Sequence, residues 1–305
     1  MISRYRYKDT VWVDITQPTD EEVAKVFDEF HIQPSIANEF LTPSIKSRVE
    51  LHRSYIYLIL HFPAHKNSRD VDTRQEVDFI IGRNFLITAR YDTVEAIDKF
   101  AKVVEVNSIL DRGIEENCTA LIFFGILQEI YQSLINELEY TESLLGNIEK
   151  AIFSGKEKDM VLALSEVSRN LLNFKKATDF HGEALDSLDM FGKKIFFDEH
   201  FSYHVQRIKN EYSKVVHLMR NNSDSVSELR ETNNALLSTK QNEIMKVLTI
   251  VTFIVSPLAL AAAILQINTT TNPIVGKPND FWIIVGFMAL ASLIMYAVFR
   301  FKKWL

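Results

Sequence analysis

Hydrophobic and polar positions divide the chain into three stretches of different period. Through the first hundred or so residues the period is two. "VWVDI" (11–15) alternates as a half-buried strand does, and "YIYLILHF" (55–62) is a run of aromatic and branched residues. "EVDFIIGRNFLITARY" (76–91) reads as a hairpin turned at Gly82-Arg83-Asn84. Pro18-Thr19 opens a helix with Glu22 three residues after Thr19, a capping-box spacing, and Thr93 begins another that runs to about Ile109. After Gly113 the strand signal stops. Apolar residues recur at helical spacing over about 114–151 and 156–190, and the 64 residues 193–256 contain neither glycine nor proline. As one helix that stretch is about 95 Å long, far beyond an ordinary globular helix.

In the third stretch the polar positions disappear. Residues 247–267 are 21 in a row without a charge and 281–299 another 19. Each spans about 30 Å as a helix, the thickness of a hydrocarbon core. Two buried core helices would need further chain to cover them, so the pattern predicts a membrane hairpin. Lys240 and Lys246 precede the first span, and Arg300, Lys302 and Lys303 follow the second. The loop 269–280 carries one charge of each sign. By the positive-inside rule both flanks, and so both termini, are expected in the cytoplasm of a cell (inner or plasma) membrane. Trp282 and Trp304 sit where interfacial aromatic residues are found. The expected organisation is a cytoplasmic α/β domain (1–112), cytoplasmic long helices and a stalk (113–246), a first transmembrane helix (247–267), an outer loop (268–280), a second transmembrane helix (281–299) and a basic tail (300–305).

Composition changes this picture little. A formal net charge of −6 with no Lys/Arg-rich run argues against nucleic acid as a partner. The single cysteine, Cys118, excludes an intrachain disulfide and reads as a small buried apolar residue. The start "MISRYRYKDTVWVDIT" has no apolar run of the kind a signal peptide needs.

One face of the first span differs from the others. Asn242, Met245, Thr249, Thr252, Ser256, Ala259, Ala263 and Gln266 follow one another at spacings of three and four, and inside the membrane each is small or polar. A seam of small residues is often a helix-packing face. Three successive hydroxyls also suit the wall of a water-filled pathway. Packing and pore both remain open from the pattern. Two spans cannot enclose a pathway, so the pore reading requires a homo-oligomer with this helix innermost.

The block "NEIMKVLTIVTFIVSPLALAAAI", the closing "FRFKKWL", and the N-terminal "WVDITQPTDEEV" and "VDFIIGRNFLITARYDTVEAI" resemble the CorA family of divalent-cation channels over nearly the whole chain. The resemblance implies a homopentamer with a funnel-shaped α/β cytoplasmic domain, one long stalk helix per subunit, and the first span lining the pore. It implies passive influx of Mg²⁺, with Co²⁺ and Ni²⁺ as further ions. The cation is the substrate, and no cofactor is expected. The family's pore positions fall on Asn242, Met245, Leu248, Thr252, Ser256, Ala259 and Ala263, with Met245 and Leu248 matching its apolar gate and Asn242 a polar ring beside it. Asn268 matches the asparagine of the family's outer Gly-Met-Asn signature, where amide oxygens hold hydrated Mg²⁺ through its waters.

This chain departs from that signature, carrying Gln266-Ile267-Asn268. A left-handed turn at Gln266 would cost about 1 kcal/mol or more, and its longer amide can enter the ring. The family's acidic sensor near the start of the stalk has no counterpart in the basic "YHVQRIK" (203–209). Glu231 and Glu228 are candidates for drawing cations toward the pore mouth. His200 and His204, four apart with Glu199 adjacent, have a spacing that can hold zinc, and His61 and His65 form a weaker pair. There is no phosphate-binding loop, nucleophile elbow or metalloprotease motif. The chain is therefore not expected to be an enzyme, and transport should run down an electrochemical gradient. The rivals are the same fold moving another ion, such as Zn²⁺ with a proton, and a non-conducting membrane scaffold or receptor.

Overall fold

The computed structural model describes residues 1–44, 46–63, 74–109, 118–195, 199–266 and 279–302. They divide into two compact units, Met1–Arg230 and Glu231–Leu305.

The first unit is built on a six-stranded sheet of β1 (Ile2–Tyr7), β2 (Thr10–Thr16), β3 (Arg48–Leu51), β4 (Tyr55–Pro63), β5 (Arg74–Gly82) and β6 (Phe85–Arg90), in the order β1-β2-β6-β5-β4-β3. Only the β2–β6 pair is parallel. The predicted hairpin is present, with Ile81 opposite Leu86, and at Gly82 the Phe85 ring leaves no room for a Cβ. Alternation along the strands sorts side chains to the two faces of the sheet. Val13, Ile15, Tyr57, Ile59, Ile80, Ile87 and Ala89 pack against Val23, Val26 and Phe27 of helix α1 (Asp20–Glu29) and against Ile32, Ile36 and Phe40 of the segment after it. On the opposite face Trp12 meets Phe100, and Phe79 meets Phe123 edge-on. Those phenylalanines belong to helices α2 (Glu95–Ile109) and α3 (Cys118–Phe153). Helices α4 (Glu157–Thr178) and α5 (His181–Ile195) complete this layer against β3 and β4. The result is an α/β sandwich.

Helix α1 starts as the capping spacing predicts: the Thr19 hydroxyl accepts from the Glu22 N–H at 3.4 Å. The Glu22 carboxylate also pairs with the amino group of Met1. Two boundaries differ from the sequence reading. The helical stretch 156–190 is two helices, parted at Asp179 and Phe180 without any glycine or proline. There the Tyr212 hydroxyl donates to the Thr178 carbonyl, satisfying an acceptor that the helix end releases. Residues 193–195 belong to α5, so the long helix begins at Glu199 rather than Lys193. It runs 67 residues as α6 (Glu199–Leu265) and contains Pro257.

The second unit holds the end of α6 and helix α7 (Asp280–Phe301). Both are long and apolar enough to cross a membrane, with mean hydropathies of 2.4 and 2.3 over their most apolar stretches. Only 6% and 0% of those stretches are buried, whereas the core helix of a soluble domain is mostly buried.

Candidate functional site

In the second unit the shielded positions and the small, polar seam of α6 fall on different faces of the helix. Along the apolar span of α6, from residue 247 on, the positions shielded from solvent are Ile254, Leu258, Ala261, Ala262 and Leu265, with Ile250 buried. Along α7 they are Ile284, Met288, Ala291, Ser292, Met295 and Phe299. Both rows advance by three and four residues, as two helices packed along their length produce. The burial pattern is that of one face on each helix turned away from solvent. The small and polar seam is elsewhere. Thr249, Thr252, Ser256, Ala259 and Ala263 are exposed, as are Asn242, Met245 and Leu248 before them. The shielded faces mix bulky residues with Ala261, Ala262, Ala291 and Ser292, and the seam is left uncovered.

The threonine hydroxyls do not wait for water. Thr249 Oγ1 donates to the Met245 carbonyl at 2.7 Å and Thr252 Oγ1 to the Leu248 carbonyl at 2.9 Å. Their hydrogens are spent inside the helix, and the exposed oxygens keep lone pairs. Pro257, with no N–H, leaves the Phe253 carbonyl without its helical donor, one more acceptor at this level.

At the end of α6 the Gln266 N–H reaches the carbonyls of Ala262 and Ala263, each at 3.2 Å. Lys8, Gln17, His31 and Asn279 are the non-glycine residues with positive φ among the described residues. Gln266 is not one of them, so the helix closes there without the left-handed conformation that a side chain resists. Ile267 and Asn268, the remainder of the outer signature, lie outside the described residues.

Glu228 and Glu231 are exposed on α6. His204 stacks on the Phe124 ring with centroids 5.2 Å apart, so its ring packs against the aromatic side chains under α6. His200 lies on α6, with its side chain outside what the structure describes, and His65 is also outside. Among the described residues no three His, Cys, Asp or Glu side chains come together as metal ligands.

Two buried polar clusters in the first unit escaped the sequence reading. In one, the Trp12 indole donates to Thr88 Oγ1 at 3.0 Å, and that hydroxyl donates to Asp14 at 2.6 Å. Arg90 bridges Asp14, at 2.9 Å, and Asp98. Burial raises the Asp14 carboxyl, and Arg90 opposes that rise. In the other, Glu76 accepts from the Ser44 N–H at 2.6 Å and lies 2.9 Å from His61 Nε2. Asp78, two residues along the same face, accepts from the Tyr57 hydroxyl at 2.9 Å. Burial, and then the neighbouring Glu76, hold the Asp78 carboxyl well above the usual carboxylate range. A signal was present in both cases: an ionisable residue within an otherwise apolar strand, "VWVDI" and "EVDFII".

The sequence profile of the family described as CorA-like Mg²⁺ transporter protein matches residues 7–303. The cobalt/magnesium transport protein CorA of Thermotoga maritima is 24% identical over 298 residues, covering 96% of this chain and 83% of that protein. Among solved structures, the complete CorA magnesium transporter of Methanocaldococcus jannaschii superposes with a TM-score of 0.83 at 21% identity, over 97% of this chain and 92% of its own. The full-length CmaX protein follows with a TM-score of 0.73 at 14% identity, over 97% and 89%.

Proposed function

The chain belongs to the CorA-like Mg²⁺ transporter family, a family of transporters and not of enzymes, and we propose that it conducts Mg²⁺ passively through the centre of a homopentamer. The observation that carries this reading is the seam Thr249, Thr252, Ser256, Ala259 and Ala263, left exposed while a different face of α6 is shielded. A small, acceptor-bearing face with no partner in its own chain has a use when several copies surround a wet axis.

In this reading residues 1–246 are cytoplasmic, 247–267 and 281–299 cross the cell membrane, and 268–280 form the outer mouth. Met245 and Leu248 gate the pathway, since a narrow ring of such side chains sheds water when closed. Asn242 forms a polar ring before the gate. Gln266 and Asn268 present amides at the mouth, where Mg²⁺, which loses its water reluctantly, is held through its hydration shell. Glu228 and Glu231 add negative charge to the approach. A membrane potential negative inside drives entry, by about 2.3 kcal/mol per charge per 100 mV. The cobalt and magnesium named for the relative from Thermotoga maritima support a divalent substrate.

The test is uptake of Mg²⁺, Co²⁺ and Zn²⁺ into proteoliposomes by the full chain, with Asn268→Ala and Gln266→Gly beside it. Mg²⁺ flux that Asn268→Ala abolishes is the expected result. Zn²⁺ flux that needs a proton gradient would move the chain to another ion. Absence of flux for all three ions, in wild type and Gln266→Gly alike, would leave a non-conducting membrane protein.

A further inference from the structure

Helix α4 and the first part of α6 leave a groove of about 650 Å³ between them, within the first unit. Four cations line it, Arg169 and Lys175 from α4 and Arg220 and Arg230 from α6, and all four are exposed. Asp179 is the one acid among the lining residues. Among the described residues none of the four cations has an ion pair or hydrogen bond. In a chain of net charge −6, this concentration of unanswered positive charge runs against the average. Arg220 and Arg230 stand ten residues apart, about 15 Å along the helix, so the strip is elongated rather than a point.

The same unit carries a strip of opposite sign and equal length. Glu139, Glu142 and Glu149 on α3 are exposed and, among the described residues, also without ion pairs. They too span ten residues, about 15 Å. Phe153, one turn beyond Glu149, is 66% exposed at the end of the row. The side of α3 turned toward α4 is marked by Glu137, Tyr140, Thr141 and Leu144, which share a cleft with Leu171 and Phe174. At 3.6 residues per turn, Glu139, Glu142 and Glu149 fall on roughly the opposite side of α3. A subunit therefore cannot bring its acidic row into its own groove.

We propose that the basic groove between α4 and α6 receives the acidic row of α3 from a second copy of this chain. The two patches are complementary but different, so the contact is heterologous, and a heterologous contact whose rotation closes gives a cyclic ring. Exposed ion pairs are individually weak. Four cations facing three carboxylates set the register and polarity of the contact more than its strength. Phe153 supplies an apolar end, which enters the groove beside the half-exposed Leu172. This assignment rests on the homo-oligomeric reading given above and names the surfaces that build the oligomer.

Full-length protein in detergent tests it, with Cys118→Ser removing the native thiol. Glu142→Cys is paired in turn with Arg169→Cys, Arg220→Cys and Arg230→Cys, and each pair is oxidised gently. At least one pair should give a ladder of covalent multimers ending at the ring size found by light scattering, while each single cysteine gives none. Reversing Glu139, Glu142 and Glu149 to Lys should lose the ring, and adding Arg169→Glu, Arg220→Glu and Arg230→Glu should restore it. Restoration also shows that the reversed chains still fold. A wild-type chain that is monomeric overturns the homo-oligomer itself. An oligomer that forms no ladder with any pair, and that keeps its size after charge reversal, overturns these surfaces alone.

Discussion

The buried histidine at the start of α5 makes the stability of the first unit depend on acid in a calculable way. His181 is fully buried. Its Nε2 lies 2.7 Å from the His61 carbonyl oxygen, which can only accept, so Nε2 carries the hydrogen. Nδ1 is then the acceptor for the Tyr131 hydroxyl at 2.9 Å. Both ring nitrogens are satisfied by the neutral ring. Burial, the largest cause, brings its pKa down from 6.5 to about 4, and the His61 carbonyl opposes the fall only in part. Between those values the unfolded chain binds a proton that the folded chain refuses. Stability is therefore complete above pH 6.5 and is lost as the pH falls toward 4. The full loss is on the order of 3 kcal/mol, and acidifying from pH 7 to pH 5 removes about 2 kcal/mol of it. For a unit of this size that lowers the midpoint of thermal unfolding by about 4–8 °C. Trp12, the one tryptophan of the first unit, is fully buried and reports its unfolding by fluorescence. His181→Gln keeps an N–H for the His61 carbonyl but cannot titrate. Its midpoint should start lower at pH 7 and then fall by about 4–8 °C less than wild type on acidification. If wild type and variant lose the same amount between pH 7 and 5, His181 is not the group responsible and the burial argument fails.

Other substitutions probe the remaining clusters and the seam. Arg90→Ala leaves Asp14 buried beside Trp12 without its counter-charge and should cost about 3–5 kcal/mol, read from denaturant unfolding. Asp78→Asn acts in the opposite sense to His181. The folded state holds a proton on Asp78 above its ordinary range, so that contribution to stability is complete in acid and is lost as the pH rises through the raised value. The variant should therefore lose less stability than wild type as the pH rises above the ordinary carboxylate range, as thermal midpoints from about pH 4 upward will record. In the second unit, Thr252→Leu and Ala259→Leu should abolish Mg²⁺ flux while leaving the α6–α7 hairpin folded. Ala262→Leu overpacks the shielded row, and should destabilise the hairpin by about 1–3 kcal/mol in detergent unfolding.

Much of the architecture was legible because its strongest signals are local. The Thr19 cap, the strand at 11–15 and the turn at Gly82 all stand where the pattern puts them. The strands the pattern missed, β1 and β3, are the two edges of the sheet. An edge strand has one neighbour and is covered less, so "ISRYRY" and "RVEL" carry no apolar run to read. The parting of α4 from α5 was illegible for a different reason: what stabilises it is Tyr212, more than thirty residues away in sequence. The seam was visible as spacing, but the shielded face of α6 beside it was not. Which face of α6 meets α7 depends on the phase of one helix against the other, and that is a property of two segments together. The packing of His204 was illegible too, since its stacking on Phe124 joins residues eighty apart in sequence.

The inward-turned hydroxyls of Thr249 and Thr252 have a consequence for what the proposed pathway admits. A wall whose donors are already engaged offers lone pairs and no hydrogens. Water around a cation points its oxygens at the ion and its hydrogens outward, toward acceptors. Water around an anion points the other way and meets nothing on such a wall to donate to it. Rings of these residues would tell the sign of an ion through its hydration shell, with no charged side chain in the membrane. In such a pathway the discrimination would reside in the direction of each hydroxyl's hydrogen.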